Sequence, residues 1–230
     1  MKKYYLQINL VKIVRNANNY RININKFSIS AKIKAHIRLK ARILLLFLIA
    51  MPRLFLGIPI PAAVKEELKH FKAAQHTHKG VRWTKEEKLH ITAYFFAEVP
   101  EEMMENLKSL LFIALKKQSS FKLEFEQFML APPKQAPRMI WARFKHSDAF
   151  ISLHEEVHSL YSQIEPSLQR RKKPIPHITL ARFKEEAPKE SQDYQLQHPC
   201  GNIFVDKLIL WKSRLRPEGS IYEAVEEYSL

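Results

Sequence analysis

Glycine and cysteine are scarce in this chain of 230 residues, which holds four of the first and one of the second, Cys200. So few glycines cannot supply GxGxxG or a Walker A loop, which excludes the common glycine-rich phosphate cradles. A lone cysteine excludes an internal disulfide framework and a cysteine-based zinc cluster, and is compatible with a reducing compartment such as the cytoplasm. Acidic residues are missing from the start of the chain: the first is Glu66, whereas residues 1–50 contain eleven Lys/Arg. The same fifty residues lack Pro, Gly and Trp and hold six of the eight Asn. From 51 onward there are 27 basic and 23 acidic residues, a net of +4, so most of the overall +15 belongs to the leader. A charge of +15 by itself suggests a polyanionic partner; its distribution weakens that inference. Long apolar runs are also lacking. ARILLLFLIAM is stopped by Pro52 and Arg53, short of the ~20 residues that span a bilayer. Three readings of 1–50 stay open: a targeting segment, a basic arm for nucleic acid, or a poorly ordered stretch ahead of a natural start at Met51. No function is assigned to it.

Residues 51–230 alternate strand and helix signals. RLFLGI (53–58) reads as a strand ended by Pro59 and Pro61, and PAAVKEELKHF as a helix with Val64, Leu68 and Phe71 on one face. A polar loop with His76, His78 and Trp83 leads to the strand LHITAYFF (89–96). EVPEEMMENLKSLLFIALKK carries acids in its first turn and lysines at its end, as a helix should. FKLEFEQFML and MIWARF read as strands. Residues 148–165 fit a helix that turns Ile151, Val157, Leu160, Tyr161 and Ile164 to the core. PHITLARF, a polar insertion (184–199), IFVDKLILW, a Pro217–Gly219 turn and IYEAVEEYSL complete the chain. This order favours an α+β domain of two related halves over a parallel doubly wound sheet.

The two halves share a motif. LHITAYFF and PHITLARF align on their histidines as H-I-T-x-x-x-F, 87 residues apart. Strand side chains alternate faces, so His90 and Thr92 share one face, and His177 and Thr179 another. An imidazole titrates near ~6.5, so a pair can divide into one neutral and one charged ring and perform acid–base catalysis without metal. Two threonine hydroxyls beside them can hold the non-bridging oxygens of a phosphate. In-line displacement at phosphorus asks for this combination of positioning and charge stabilisation.

With these motifs the chain from about Arg53 to its C-terminus resembles the two-histidine phosphoesterases, specifically the RNA 2′,3′-cyclic phosphodiesterases also described as 2′-5′ RNA ligases. The resemblance rests on RLFLGI, LHITAYF, MIWARF, PIPHITLARF and LILWKSRLRPEGSIYEAVEEYSL. It implies a bilobal, pseudo-symmetric α+β fold, with two antiparallel sheets around a central groove and helices outside. It also implies hydrolysis of a 2′,3′-cyclic phosphate at an RNA end to a 2′-phosphate by a cytoplasmic monomer, without metal or cofactor, stable protein partner or membrane. 2′-5′ ligation or cyclic-nucleotide hydrolysis on the same site remains open. Carried over, His177 is the general base, His90 the general acid, Thr92 and Thr179 phosphate ligands, and Arg182 the arginine after the second motif. The motif's near symmetry leaves open which histidine is which. Ala93 stands where that family commonly has leucine, and the leader has no counterpart there.

Arg182 lies at an odd offset from His177, so an ideal strand turns it away; it reaches the groove only if the strand ends or bulges. Phe55 and Trp83 are candidates for stacking on a base, or for the core. HEEVH (154–158) formally matches HExxH, in which two histidines one turn apart bind zinc. No HxxGxxH continuation follows it, and a solvated helix face accounts for it. QRRKKP (169–174) can attract RNA phosphates or be a solvated run.

Overall fold

The computed structural model describes residues 53–75, 80–132, 136–165, 173–183, 196–216 and 219–230. The leader, His76 and His78, the basic run up to position 172 and most of the 184–199 insertion lie outside the described residues.

Ten strands and three helices are described. In chain order they are β1 (Arg53–Pro59), α1 (Ala62–Ala74), β2 (Val81–Trp83), β3 (His90–Glu98), α2 (Met104–Leu115), β4 (Phe121–Leu123), β5 (Phe125–Ala131), β6 (Met139–Phe144), α3 (Asp148–Ile164), β7 (His177–Phe183), β8 (Ile203–Val205), β9 (Lys207–Arg216) and β10 (Gly219–Ser229). Eight strands form a sheet in the order β10-β9-β1-β3-β7-β6-β5, with β2 also paired to β7, and β4 and β8 form a two-stranded sheet. Every pairing is antiparallel. The two expected sheets are thus the four-stranded halves β10-β9-β1-β3 and β2/β7-β6-β5. They touch through one register pair, Ile91 opposite Ile178. No described helix is long and apolar enough to cross a membrane.

β1 is buried along five consecutive residues because strands flank it on both sides and the core covers it. Gly57 is required there: a Cβ would lie 2.8 Å from Cζ3 of Trp211 and 3.0 Å from the Ile91 carbonyl oxygen. The expected face of α1, with Val64, Leu68 and Phe71, is buried, and Phe71 stacks on Phe128 of β5 (centroids 3.8 Å apart). α3 opens on Ser147, whose hydroxyl accepts from the Phe150 amide at 3.3 Å, a helix N-cap. It packs on α2 and on β3.

The structure departs from expectation in three places. FKLEFEQFML is two strands, because β4 leaves for β8 while the Glu124 carbonyl takes the Lys145 amide and the Phe125 amide bonds Asn202 Oδ1. The α3 core face is Phe150, Leu153, Val157 and Tyr161, with Ile151, Leu160 and Ile164 only half-buried. Val81–Trp83, read as loop, is a short strand against the far end of β7.

Candidate active site

The register pair that joins the halves is the central isoleucine of both H-I-T motifs. Antiparallel running then sets His90 on the side of Thr179, and Thr92 on the side of His177. Each motif is followed by a β-bulge. On β7, Thr179 faces Trp141 and Ala181 faces Ile140, which leaves Leu180 as the extra residue. On β3, Thr92 faces Gly57 and Tyr94 faces Leu56, which leaves Ala93 as the extra residue. Both bulges fall at the third position after the histidine. Each buries two consecutive residues, Leu180–Ala181 and Ala93–Tyr94. A bulge reverses the alternation beyond it, so Arg182 returns to the groove face, and Phe95 does the same in the other half. Arg182 thereby meets the condition its odd offset set.

Each imidazole is held in the same way. Nδ1 of His90 donates to the Lys88 carbonyl and Nδ1 of His177 to the Ile175 carbonyl, both at 2.7 Å. In each case the acceptor is two residues upstream. A carbonyl can only accept, so Nδ1 carries a proton in both rings and Nε2 is left for the groove.

The surroundings differ. His90 sits among Phe55 (4.7 Å between ring centroids), Tyr222 (5.3 Å, edge-on) and Trp211 (5.8 Å). Burial in this cage pushes its pKa down to about 4 against the pull of the Lys88 carbonyl, and the nearby His177 and Arg182 charges lower it further. His177 is stacked on Trp141 at 3.8 Å and 25°. Burial lowers its pKa too, and Arg182 adds to the effect.

The groove has a volume of about 320 Å³ and is lined by His90, Thr92, His177, Thr179 and Arg182. The five residues singled out in the sequence therefore come together. Phe95 and Tyr222, not singled out there, also line it. Phe95 sits at the same offset from His90 as Arg182 from His177, a signal available in the aligned motifs. Phe55 is buried against His90 and also lines the groove.

HEEVH is not a solvated face. Nδ1 of His154 donates to the carbonyl of Ala93, the bulge residue, at 2.8 Å. Nδ1 of His158 is 2.8 Å from the Tyr94 hydroxyl. Both histidines are turned toward the back of β3, because Ala93 and Tyr94 are the residues the bulge sends to that side. Among the described residues no group of three or more His, Cys, Asp or Glu could hold a metal ion.

Two antiparallel half-sheets, each contributing one histidine and one threonine to a shared groove, define the two-histidine phosphoesterase class. The sequence comparison agrees: the profile of the 2′-5′ RNA ligase superfamily matches residues 60–215, and the chain belongs to that superfamily. It is 29% identical over 180 residues to the RNA 2′,3′-cyclic phosphodiesterase of Methanocaldococcus jannaschii, covering 76% of this chain and 99% of that one. With the RNA 2′,3′-cyclic phosphodiesterase of Thermotoga maritima it shares 27% over 177 residues, 76% of this chain and 94% of the relative. Among solved structures, a Thermus thermophilus protein superposes with a TM-score of 0.68 at 25% identity, covering 77% of this chain and 97% of the other. E. coli LigT complexed with 3′-AMP shares the fold at a TM-score of 0.62 and 23% identity, over 78% of this chain and 98% of its own.

Proposed function

We propose that this protein is an RNA 2′,3′-cyclic phosphodiesterase that opens the cyclic phosphate to a 2′-phosphate by metal-independent catalysis with His90 and His177. The observation that carries this is the matched pair of imidazoles, each with Nδ1 committed to a carbonyl and Nε2 left to one groove. Nε2 of His177 takes a proton from water as its oxygen bonds to phosphorus. The P–O3′ bond breaks on the opposite side, and Nε2 of His90 protonates the departing O3′. Thr92 and Thr179 donate to the non-bridging oxygens, and Arg182 offsets the charge that gathers there. With its pKa held down to about 4, His90 is neutral near pH 7 before substrate binds. A bound phosphate anion favours its protonated form, and the faces of Phe55 and Trp211 stabilise the resulting cation.

The catalytic unit we propose is residues 51–230, acting as a monomer in the cytoplasm, with no part for 1–50. The test is product analysis on an oligonucleotide ending in a 2′,3′-cyclic phosphate, in EDTA. A 2′-phosphate forms, and His90→Ala or His177→Ala lowers the rate by a factor of about 10² to 10⁴. A 3′-phosphate product, loss of activity in EDTA, or full activity in both variants overturns the reading. The two roles separate on a substrate with sulfur at the 3′ bridging position, whose departure needs no proton: His90→Ala recovers on it and His177→Ala does not.

A further inference from the structure

Beside the groove lies a second hollow of about 230 Å³, built by one side of α1 and the segment between β2 and β3. Lys65, Lys69 and Lys72 stand at i, i+4 and i+7, so one face of α1 presents all three to it. Its apolar floor includes Leu68, Trp83 and Leu180. Thr84 lines both hollow and groove. Its hydroxyl donates to the Thr179 carbonyl and its amide to the Leu180 carbonyl, each at 2.8 Å. The hollow is therefore anchored to the strand segment that carries the second HxT motif.

Its charge is not balanced. Lys69 pairs with Glu66 at 3.3 Å, and Glu86 adds one carboxylate to the lining. Among the described residues, Lys65 and Lys72 form no ion pair within 4.0 Å; Lys72 Nζ instead stands 6.0 Å from the centre of the Trp83 ring. Surplus positive charge at the edge of an apolar, aromatic floor suits a ligand with a planar ring and a phosphate within a few ångströms of each other. A nucleotide within a single strand has that form.

We propose that this hollow is a subsite for the penultimate nucleotide of an RNA strand whose cyclic-phosphate end occupies the groove. The strand leaves the terminal ribose on its 5′ side, passes Thr84, sets a base over Trp83 and Leu180, and brings a phosphodiester to Lys65, Lys69 and Lys72. The proposal rests on the cyclic-phosphodiesterase reading and narrows it: the preferred substrate is an oligonucleotide and not a free cyclic nucleotide.

The experiment compares a nucleoside 2′,3′-cyclic phosphate with a pentanucleotide ending in the same nucleotide. Both are given to the full-length protein and to a variant carrying Lys65→Ala and Lys72→Ala. The wild type is expected to prefer the pentanucleotide by about tenfold or more in kcat/KM. The variant loses that preference through KM, keeps its rate on the cyclic mononucleotide, and flattens the dependence of log KM on log salt, by about 0.7 for each phosphate it no longer neutralises. Trp83→Leu, which keeps an apolar side chain at that position, lowers the preference without changing the salt slope. Equal loss on both substrates, or no loss on either, overturns the subsite. Fluorescence anisotropy with a pentanucleotide ending in a 2′-phosphate separates the two levels. Should neither substrate be hydrolysed while the lysine variant still binds this strand more weakly than wild type, the reaction fails and the subsite stands. Unchanged binding in the variant sinks the subsite whatever the reaction.

Discussion

The two imidazoles are alike in their hydrogen bonds and unlike in their neighbours, and the neighbours govern pH dependence. Burial holds both rings below the ordinary histidine value, His90 down to about 4. The kcat/KM profile reports the free protein. It should therefore be a bell centred on the acid side of pH 6.5, while the kcat profile lies at higher pH because the bound anion raises both values. Coinciding profiles centred above 7 would contradict this. The same depression affects folding. Between about pH 6.5 and 4 the unfolded chain protonates its histidine while the folded His90 stays neutral, so stability falls as pH falls through that window. The loss is on the order of 3 kcal/mol, and a urea titration series of His90→Gln should show a shallower pH slope than wild type. Trp141 is expected to act as a positioning residue for His177, through the stack at 3.8 Å. Trp141→Leu should lower kcat about ten- to a hundredfold with little change in KM, and move the His177 limb of the pH profile upward as the ring becomes wetter. Trp141→Phe keeps a ring face and should restore both. It also removes a buried indole N–H that has no hydrogen-bond partner among the described residues, so its stability should not fall.

At the scale of elements, the paired bulges explain why sequence reached most of the site but not all of it. Alternation from His90 and His177 predicts the groove face on which Thr92 and Thr179 lie, because the strands are regular over those three residues. It fails at the next step, where Ala93 and Leu180 are inserted, and nothing in AYF or LAR alone announces a bulge. The clue lies in the aligned motif: both copies put two consecutive apolar residues after HIT. HEEVH was legible as a helix with two histidines on one side. What they face depends on the α3–β3 contact, which no local pattern encodes. That contact yields a prediction. His154 Nδ1 supplies a donor to the carbonyl of the bulge residue Ala93, and the bulge aims Phe95 at the groove. His154→Ala should cost about 1–3 kcal/mol by leaving this carbonyl without that donor, and should raise KM more than it lowers kcat, because Thr92 and His90 precede the bulge. His154→Asn, with an amide nitrogen close to the position of Nδ1, should recover both. Chelators should have no effect on any of the three proteins. Equal stability of wild type and His154→Ala in urea would remove the argument.

Across the whole molecule, the unbalanced charge and the candidate site are segregated in sequence. The leader holds eleven of the 38 basic residues and no acid, while the groove, its cages and both bulges are built from Arg53 onward. The superfamily match begins at residue 60. About three quarters of this chain is matched to 99% of the M. jannaschii relative and 94% of the T. maritima one, so a unit of that length is what the relatives share. The bilobal plan could be read from two HxT strands half a domain apart. The packing of α3 on β3 could not, since it is a long-range contact. A chain beginning at Met51 should therefore hydrolyse a nucleoside 2′,3′-cyclic phosphate with a kcat/KM within about twofold of the full chain. The two should differ only on long polyanions at low salt, where eleven added cations raise non-specific attraction over roughly a Debye length, about 10 Å at 0.1 M. Raising the salt should close that gap. A tenfold loss on the mononucleotide would show that the leader takes part in the catalytic unit.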